Sequence, residues 1–214
     1  MDPLSHRAEY ELDALDEADF APEPLAQLAQ WLERASDAGL VEPNAMVIST
    51  IDPGEQPSSR TVLLRGIDES GLLFYTNRQS RKGRALAHRA AASALFPWYA
   101  LQRQVIVAGR VELVDDAASD AYFAARPRAS QIAARASHQS EEIGSRAELE
   151  AAFAREAARW QHEERVPRPD FWGGYRLVVD EAEFWQGRRS RLHDRIVYRR
   201  GAGEQTWELH RLQP

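Results

Sequence analysis

The chain has 214 residues, no cysteine, 27 basic and 33 acidic side chains, and a formal net charge of −6. With 43% hydrophobic and 28% charged residues it can build a real core and has the composition of a soluble globular protein. That excludes a disulfide scaffold, thiolate metal sites and a cysteine nucleophile, and no apolar run approaches the ~18–20 residues of a membrane span.

Residues 1–20 carry charge without apolar periodicity and read as a mobile acidic arm, leaving 21–214 as one domain. From Pro22 the pattern is helical: Leu25, Leu28, Leu32 and Ala35 share a stripe with Trp31 beside it, and Gly39 stops it. Short β-type runs follow at 45–51, 59–65 and 72–76, separated by the turns Asp52–Pro57 and Asp68–Gly71. Ser80 caps a short helix reaching Ala90, and strands are expected at 94–98 and 104–114. Residues 116–135 and 145–162 read as helices, the second opened by the capping box Ser145-Arg-Ala-Glu148. Strands at 174–180, 195–199 and 206–212 close the chain, the last two joined across Gly201-Ala-Gly203, and Glu183–Gly187 is also extended. Strands at hairpin spacing with few helices predict a mainly β, antiparallel barrel with flanking helices.

The charge is unevenly spread. Residues 1–40 hold ten acids and two arginines, residues 58–91 seven cations and two acids, and residues 188–200 six arginines and only Asp194. Two compact basic patches suit small anionic ligands, whereas nucleic acid needs a broad basic face, so no nucleic-acid partner is expected. With no signal-type apolar core in MDPLSHRAEY, the expected location is the cytoplasm, without a membrane partner.

The usual phosphate cradles are missing: there is no G-x-G-x-x-G and no Walker lysine loop. No histidine pair has metal-ligand spacing and no G-x-S-x-G occurs, so neither a metal nor a serine hydrolase triad is expected. In the first basic patch Arg60 and Arg65 lie five apart on a strand, which puts them on opposite faces unless a bulge intervenes. Ser80-Arg81-Lys82 stands where a helix begins, which is either an anion site or a solvated basic turn. In the second patch Arg191, His193 and Arg195 share one face if the segment is a strand, with Trp172 and Trp185 able to stack on a planar ligand or an arginine. Tyr122, Arg126 and Ser130, four apart, form a hydroxyl–guanidinium–hydroxyl stripe suited to phosphate, although Pro127 interrupts the helix.

Taken in order, a longer set of segments resembles one family. The set is Arg60-Thr-Val-Leu-Leu-Arg65, Phe74-Tyr-Thr-Asn77, Ser80-Arg-Lys82, Leu95-Phe-Pro-Trp98, Arg103-Gln-Val105, Arg126-Pro-Arg128, Ser130-Gln-Ile132 and Gln139-Ser140. It continues with Phe171-Trp-Gly-Gly174, Glu183-Phe-Trp-Gln-Gly187 and Arg191-Leu-His-Asp-Arg195. The chain resembles the pyridoxine/pyridoxamine 5′-phosphate oxidases from about residue 22 to Pro214, and more weakly in Arg7-Ala-Glu-Tyr10.

The resemblance implies a split β-barrel that binds FMN at a homodimer interface, with residues from about 170 to 214 serving dimerisation and substrate. It implies oxidation of pyridoxamine or pyridoxine 5′-phosphate, a small phosphorylated pyridine, to pyridoxal 5′-phosphate, with O2 as final acceptor. By motif position, Arg60 through Arg65 (with Thr61, Val62, Leu63 and Leu64 between), Tyr75, Thr76, Arg81, Lys82, Gln139 and Ser140 would hold FMN. Gln104, Trp185 and Arg195 would face its isoalloxazine or ribityl side. Arg65, Tyr122, Arg126 and Ser130 would clamp the substrate phosphate, Arg191 and His193 would act catalytically over the pyridine ring, and Arg7 and Tyr10 would belong to a covering arm. Position 65 is typically lysine in the family, and the segment Glu11-Leu-Asp-Ala-Leu-Asp-Glu17 is more acidic than usual. Other outcomes compatible with the sequence are a related flavin oxidase on a non-phosphorylated ring, as in phenazine biosynthesis, and a flavin or pyridoxal-phosphate binding protein without turnover.

Overall fold

The structure, a computed structural model, describes residues 4, 9–200 and 206–214. Arg7 and the Gly201-Ala-Gly203 link lie outside the described residues. Among the described residues, nine antiparallel strands form one sheet: β1 (Ala45–Ile51), β2 (Pro57–Leu63), β3 (Gly66–Asp68), β4 (Gly71–Asn77), β5 (Ala91–Trp98), β6 (Arg103–Leu113), β7 (Trp172–Gln186), β8 (Asp194–Arg200) and β9 (Trp207–Arg211). Five α-helices among the described residues flank it: α1 (Pro24–Asp37), α2 (Arg81–His88), α3 (Asp116–Ala125), α4 (Arg128–Ala136) and α5 (Arg146–Trp160). No helix among the described residues is long and apolar enough to cross a membrane.

The main path of the sheet runs β2-β1-β5-β6-β7-β4-β3, and its two ends are consecutive in sequence. Leu64 N–H donates to Asn44 on the β1 side, and Arg65 N–H donates to Leu73 in β4. Between those two residues the chain steps from the first edge to the last, curling the sheet into a split barrel. The step also separates the two arginines as strand alternation requires. Arg60, opposite Ile48, turns to the barrel's inner side at its mouth, while Arg65 faces outward.

Strand β7 was expected as two strands and is one, with an irregularity where β6 slips between Ala108 and Gly109 and leaves Asp180 without a partner. This β-bulge inverts the side-chain alternation. Before it Tyr175, Leu177 and Val179 point into the core; after it Ala182 and Phe184 do. The bulge also marks where β7 changes partners, from β4 over 172–178 to β8 over 181–186. Gly109 is needed there, since a Cβ would lie 1.9 Å from the Val178 carbonyl oxygen.

The core fills the barrel with Met46, Ile48, Leu72, Phe74, Phe96, Val105, Leu177 and Phe184, and α1 closes it with Leu28 and Trp31. Trp31 meets Phe184 edge-on at 5.0 Å between centroids. Gly39, left-handed at φ 75°, ends α1 as its sequence position suggested. A smaller apolar cluster of Phe123, Ile132, Val166 and Trp172 lies outside the barrel under α3 and α4. The stretch 116–135 breaks at Arg126-Pro127, because proline disfavours helical geometry at the residue before it.

Residues 9–20 lie along the body, and their acids face arginines. Glu17 pairs with Arg211, Glu11 with Arg189, and Asp13 with the buried Arg103. Arg211 also binds Asp194, and the Leu15 N–H donates to that same carboxylate. The acidic leader is thus answered by arginines from separate parts of the chain, of which Arg189 belongs to the 188–200 patch.

Candidate active site

A cleft of about 430 Å³ opens between the outer face of the sheet and helices α3 and α4. It gathers residues from segments far apart in the chain, Trp172 of β7 among them. Thr61, Leu63 and Arg65 come from β2 and the barrel seam, Tyr75 and Thr76 from β4, Lys82 from α2, Tyr122, Arg126 and Ser130 from α3 and α4, and Gln139 from beyond α4. Val62 also lines it, whereas Leu64 turns into the barrel core.

Lys82 defines one end. It is 8% exposed, and its ammonium donates to Gln139 Oε1 at 2.9 Å, Thr76 Oγ1 at 3.1 Å and Ser80 Oγ at 3.3 Å. Burial, with the charge of Arg60 adding, pulls its pKa down to about 8. Ser80 caps α2 by accepting from the Gly83 N–H, so the helix's free N–H groups open beside the lysine. Arg60 is fixed by Thr50 Oγ1 at 2.8 Å and Ser58 Oγ at 2.5 Å. Arg81 turns to Asp52, with Nε 2.6 Å from Oδ2, and does not line the cleft. Ser140 is left-handed at φ 77° and also stands outside the lining.

The other end is built on aromatic rings. Tyr75 and Tyr122 stack 3.8 Å apart at 10°, and Trp172 lies nearly parallel to both. Arg126 lies over the Trp172 ring at 4.7 Å, so the expected tryptophan–arginine stack forms with this arginine. Its Nη1 is buried without a hydrogen-bond partner, and burial lowers its pKa despite Tyr122, with Arg65 repelling it. Two arginines therefore converge, and neither has a carboxylate among the ion pairs of the described residues. The Phe171-Trp-Gly-Gly174 motif has a steric basis here: a Cβ on Gly173 would lie 2.3 Å from the Arg78 guanidinium, and one on Gly174 would lie 2.8 Å from the Tyr75 ring.

The remaining expected residues form a second constellation. Gln104, Trp185 and Arg195 are register partners across β6, β7 and β8 and make one outward row. Arg195 is held by both oxygens of Glu183, at 2.7 and 2.8 Å. His193 packs on Trp185 at 4.7 Å, and Tyr10 reaches both rings, at 5.9 Å to Trp185 and 5.7 Å to His193. None of these lines the first cleft. The expectation that Arg191, His193 and Arg195 share a strand face is corrected, because the strand begins only at Asp194. Residues 189–191 form a tight turn with Ser190 and Arg191 left-handed, at φ 56° and 63°, which takes Arg191 out of the row.

His193 Nδ1 accepts from the Arg188 N–H at 3.0 Å. That bond leaves the neutral ring's proton on Nε2. Partial burial, then the charge of Arg191, lowers its pKa against the opposing pull of Asp194, which favours the neutral ring.

Sequence reasoning left Trp172 without a role in the cleft and missed Asp52. The signals were present, the first inside a tryptophan–glycine motif and the second the acid that opens the turn after β1.

Comparison with known proteins fits this arrangement. Residues 32–159 match the model described as pyridoxamine 5′-phosphate oxidase, and residues 172–214 match the pyridoxine 5′-phosphate oxidase C-terminal dimerisation region. A pyridoxine/pyridoxamine 5′-phosphate oxidase from Thermobifida fusca is 50% identical, over 100% of this chain and 98% of that protein. One from Cupriavidus taiwanensis is 51% identical, over 97% of each. Among solved structures, PhzG from Burkholderia lata 383, in complex with tetrahydrophenazine-1-carboxylic acid, superposes with a TM-score of 0.87 at 33% identity, covering 95% of this chain and 99% of that one. An FMN-binding protein from Nostoc punctiforme shares the fold, with a TM-score of 0.71 at 20% identity, over 92% and 99%. FMN is the cofactor of the family, and a buried ammonium beside an open helix N-terminus fits its phosphate. On two family models and whole-length identity of one half, the chain belongs to the pyridoxamine 5′-phosphate oxidase family.

Proposed function

We propose that the protein oxidises pyridoxamine 5′-phosphate and pyridoxine 5′-phosphate to pyridoxal 5′-phosphate. The observation that carries this is the pair Arg65 and Arg126 beside Tyr122 and Ser130, a cationic pocket with a buried, unpartnered guanidinium nitrogen. A substrate phosphate satisfies that donor set through charge-assisted hydrogen bonds. Lys82, Thr76 and Gln139 hold the FMN phosphate at the opposite end. Of the three oxygens on the ammonium, Gln139 Oε1 belongs to an exposed side chain and is the partner a phosphate displaces.

The bound flavin supplies hydride acceptance from the substrate C4′ and the return of the electrons to O2, giving H2O2. The residues of the chain supply orientation and charge. A working site joins the cleft of one protomer to the Gln104–Trp185–Arg195 row of its partner, because these groups stay apart within one chain and residues 172–214 are the dimerisation region. His193, with its proton on Nε2, enters as a hydrogen-bond donor that orients the substrate's amine or alcohol; its Nδ1 is already taken. Arg191, exposed on its left-handed turn, supplies positive charge over the ring. Tyr10, seated on Trp185 and His193, covers the bound substrate.

Purified protein is expected to be yellow and to consume O2 with either vitamer while an aldehyde absorbance grows. Failure of the protein to take up added FMN would refute the reading. The likeness to PhzG supports a second one, oxidation of a non-phosphorylated ring on the same fold. That reading leaves the Arg65–Arg126 pocket without a phosphate to bind.

A further inference from the structure

We propose that Trp172 is the positioning residue for Arg126 and thereby sets the preference for phosphorylated over non-phosphorylated substrates. The proposal rests on the reading that Arg126 receives the substrate phosphate. An arginine can be aimed in two ways. A carboxylate engages its fork and uses up its donors, whereas an aromatic face holds the flat of the guanidinium and leaves the N–H edges free. Arg126 is held in the second way. Its guanidinium lies 4.7 Å from the Trp172 ring centre and 5.5 Å from that of Phe123, with Nη1 buried and unpartnered.

Trp172 is itself immobilised from several sides. It is 6% exposed, its backbone N–H donates to the Pro169 carbonyl, and its backbone carbonyl accepts from Arg168 Nη1 at 2.6 Å. Arg168 is tied in turn to Asp116 and Asp120 on α3, the helix that carries Tyr122. Phe123 meets the indole edge-on at 5.1 Å, and the Tyr75–Tyr122 stack lies parallel to it. The indole is therefore fixed by β7, β4 and α3 together, and the Arg126 guanidinium sits over it.

The test is a double-mutant cycle on FMN-loaded W172L, W172F, R126Q and W172L/R126Q. Affinity for inorganic phosphate and for pyridoxal 5′-phosphate is read from the flavin absorbance, and KM and kcat are measured with pyridoxamine 5′-phosphate. W172L is expected to weaken both phosphate probes and raise KM about tenfold, with kcat falling by less than about threefold. W172F, which keeps a ring face, recovers most of that loss, and W172L adds little to R126Q. Additive losses, or an unchanged KM with reduced kcat, would overturn the proposal and leave Trp172 a packing residue. A wild type that binds both probes but oxidises neither vitamer overturns the proposed function alone, since the binding cycle still decides the role of Trp172. A wild type that binds neither probe overturns both.

Discussion

Lys82 Nζ lies 2.9 Å from Gln139 Oε1, a contact that ties the start of α2 to the segment beyond α4. With Thr76 and Ser80 it surrounds the ammonium with three oxygens, matching its three donors. A planar guanidinium has a different shape and hydrogen-bond pattern, so the only lysine among 27 basic residues occupies a place arginine fills badly. Lys82→Arg is expected to raise the FMN dissociation constant roughly tenfold or more, whereas Arg65→Lys, at an exposed cleft position, changes KM by less than about threefold. Flavin-fluorescence titration and steady-state kinetics compare the two; equal and negligible effects contradict the assignment.

The depressed pKa of Lys82, about 8, gives a pH dependence with a defined sign. Below pH 8 the free protein carries an ammonium that attracts a phosphate dianion. Above it the group loses its proton, and binding must take one up. FMN affinity therefore falls as pH rises past 8, by at most about tenfold per unit. The ligand-free fold shows the opposite trend between about pH 8 and 10.4, where the unfolded chain binds the extra proton and stability rises with pH. Titrations at pH 7, 8 and 9, with urea melts of the apoprotein, read both slopes.

Arg126→Ala removes the guanidinium that converges with Arg65. KM for pyridoxamine 5′-phosphate is expected to rise roughly tenfold to a hundredfold, the value of one or two charge-assisted hydrogen bonds. An unchanged KM would move the assignment to a ring without a phosphate, as in the PhzG likeness.

If each active site takes Lys82 from one protomer and His193 from the other, two inactive variants can complement. Lys82→Met and His193→Ala are each expected to be nearly inactive alone. Co-expressed with different tags, they should give about a quarter of wild-type activity, since half of randomly paired dimers carry one intact site of two. No recovery in a purified mixed dimer would place both halves of the site in a single chain.

Much of this molecule was legible in its residues. Period-2 runs and turn clusters gave eight of the nine strands to within a few residues, though two were joined, and Ser80, Ser145 and Gly39 marked helix ends where the structure has them. The Tyr122–Arg126–Ser130 spacing placed three side chains in one cleft even though Pro127 breaks the helix, because α4 restarts within two residues. The three-residue β3 was too short to show a period. The left-handed turn at Ser190 and Arg191 was invisible for another reason, since neither residue type favours positive φ. The acidic arm illustrates a further limit: its charge was plain, but not that Arg103, Arg189 and Arg211 answer it from elsewhere in the chain.

The unpaired Asp180 has a consequence for how far apart things sit. Trp172 and Trp185 occupy one strand, 13 positions apart, a spacing that strict alternation would send to opposite faces. The bulge restores both to the outside, so β7 acts as a ruler, up to roughly 40 Å long, with a cleft wall at one end and the Gln104–Trp185–Arg195 row at the other. Deleting Asp180 would shorten the ruler by one division, and plain alternation would then keep both tryptophans on the outside without a bulge. Ala182 and Phe184 would stay in the barrel and Glu183 and Trp185 outside it, while the local bend where β7 passes from β4 to β8 would be lost, so one missing residue is expected to shift the two ends of the strand relative to each other without inverting either.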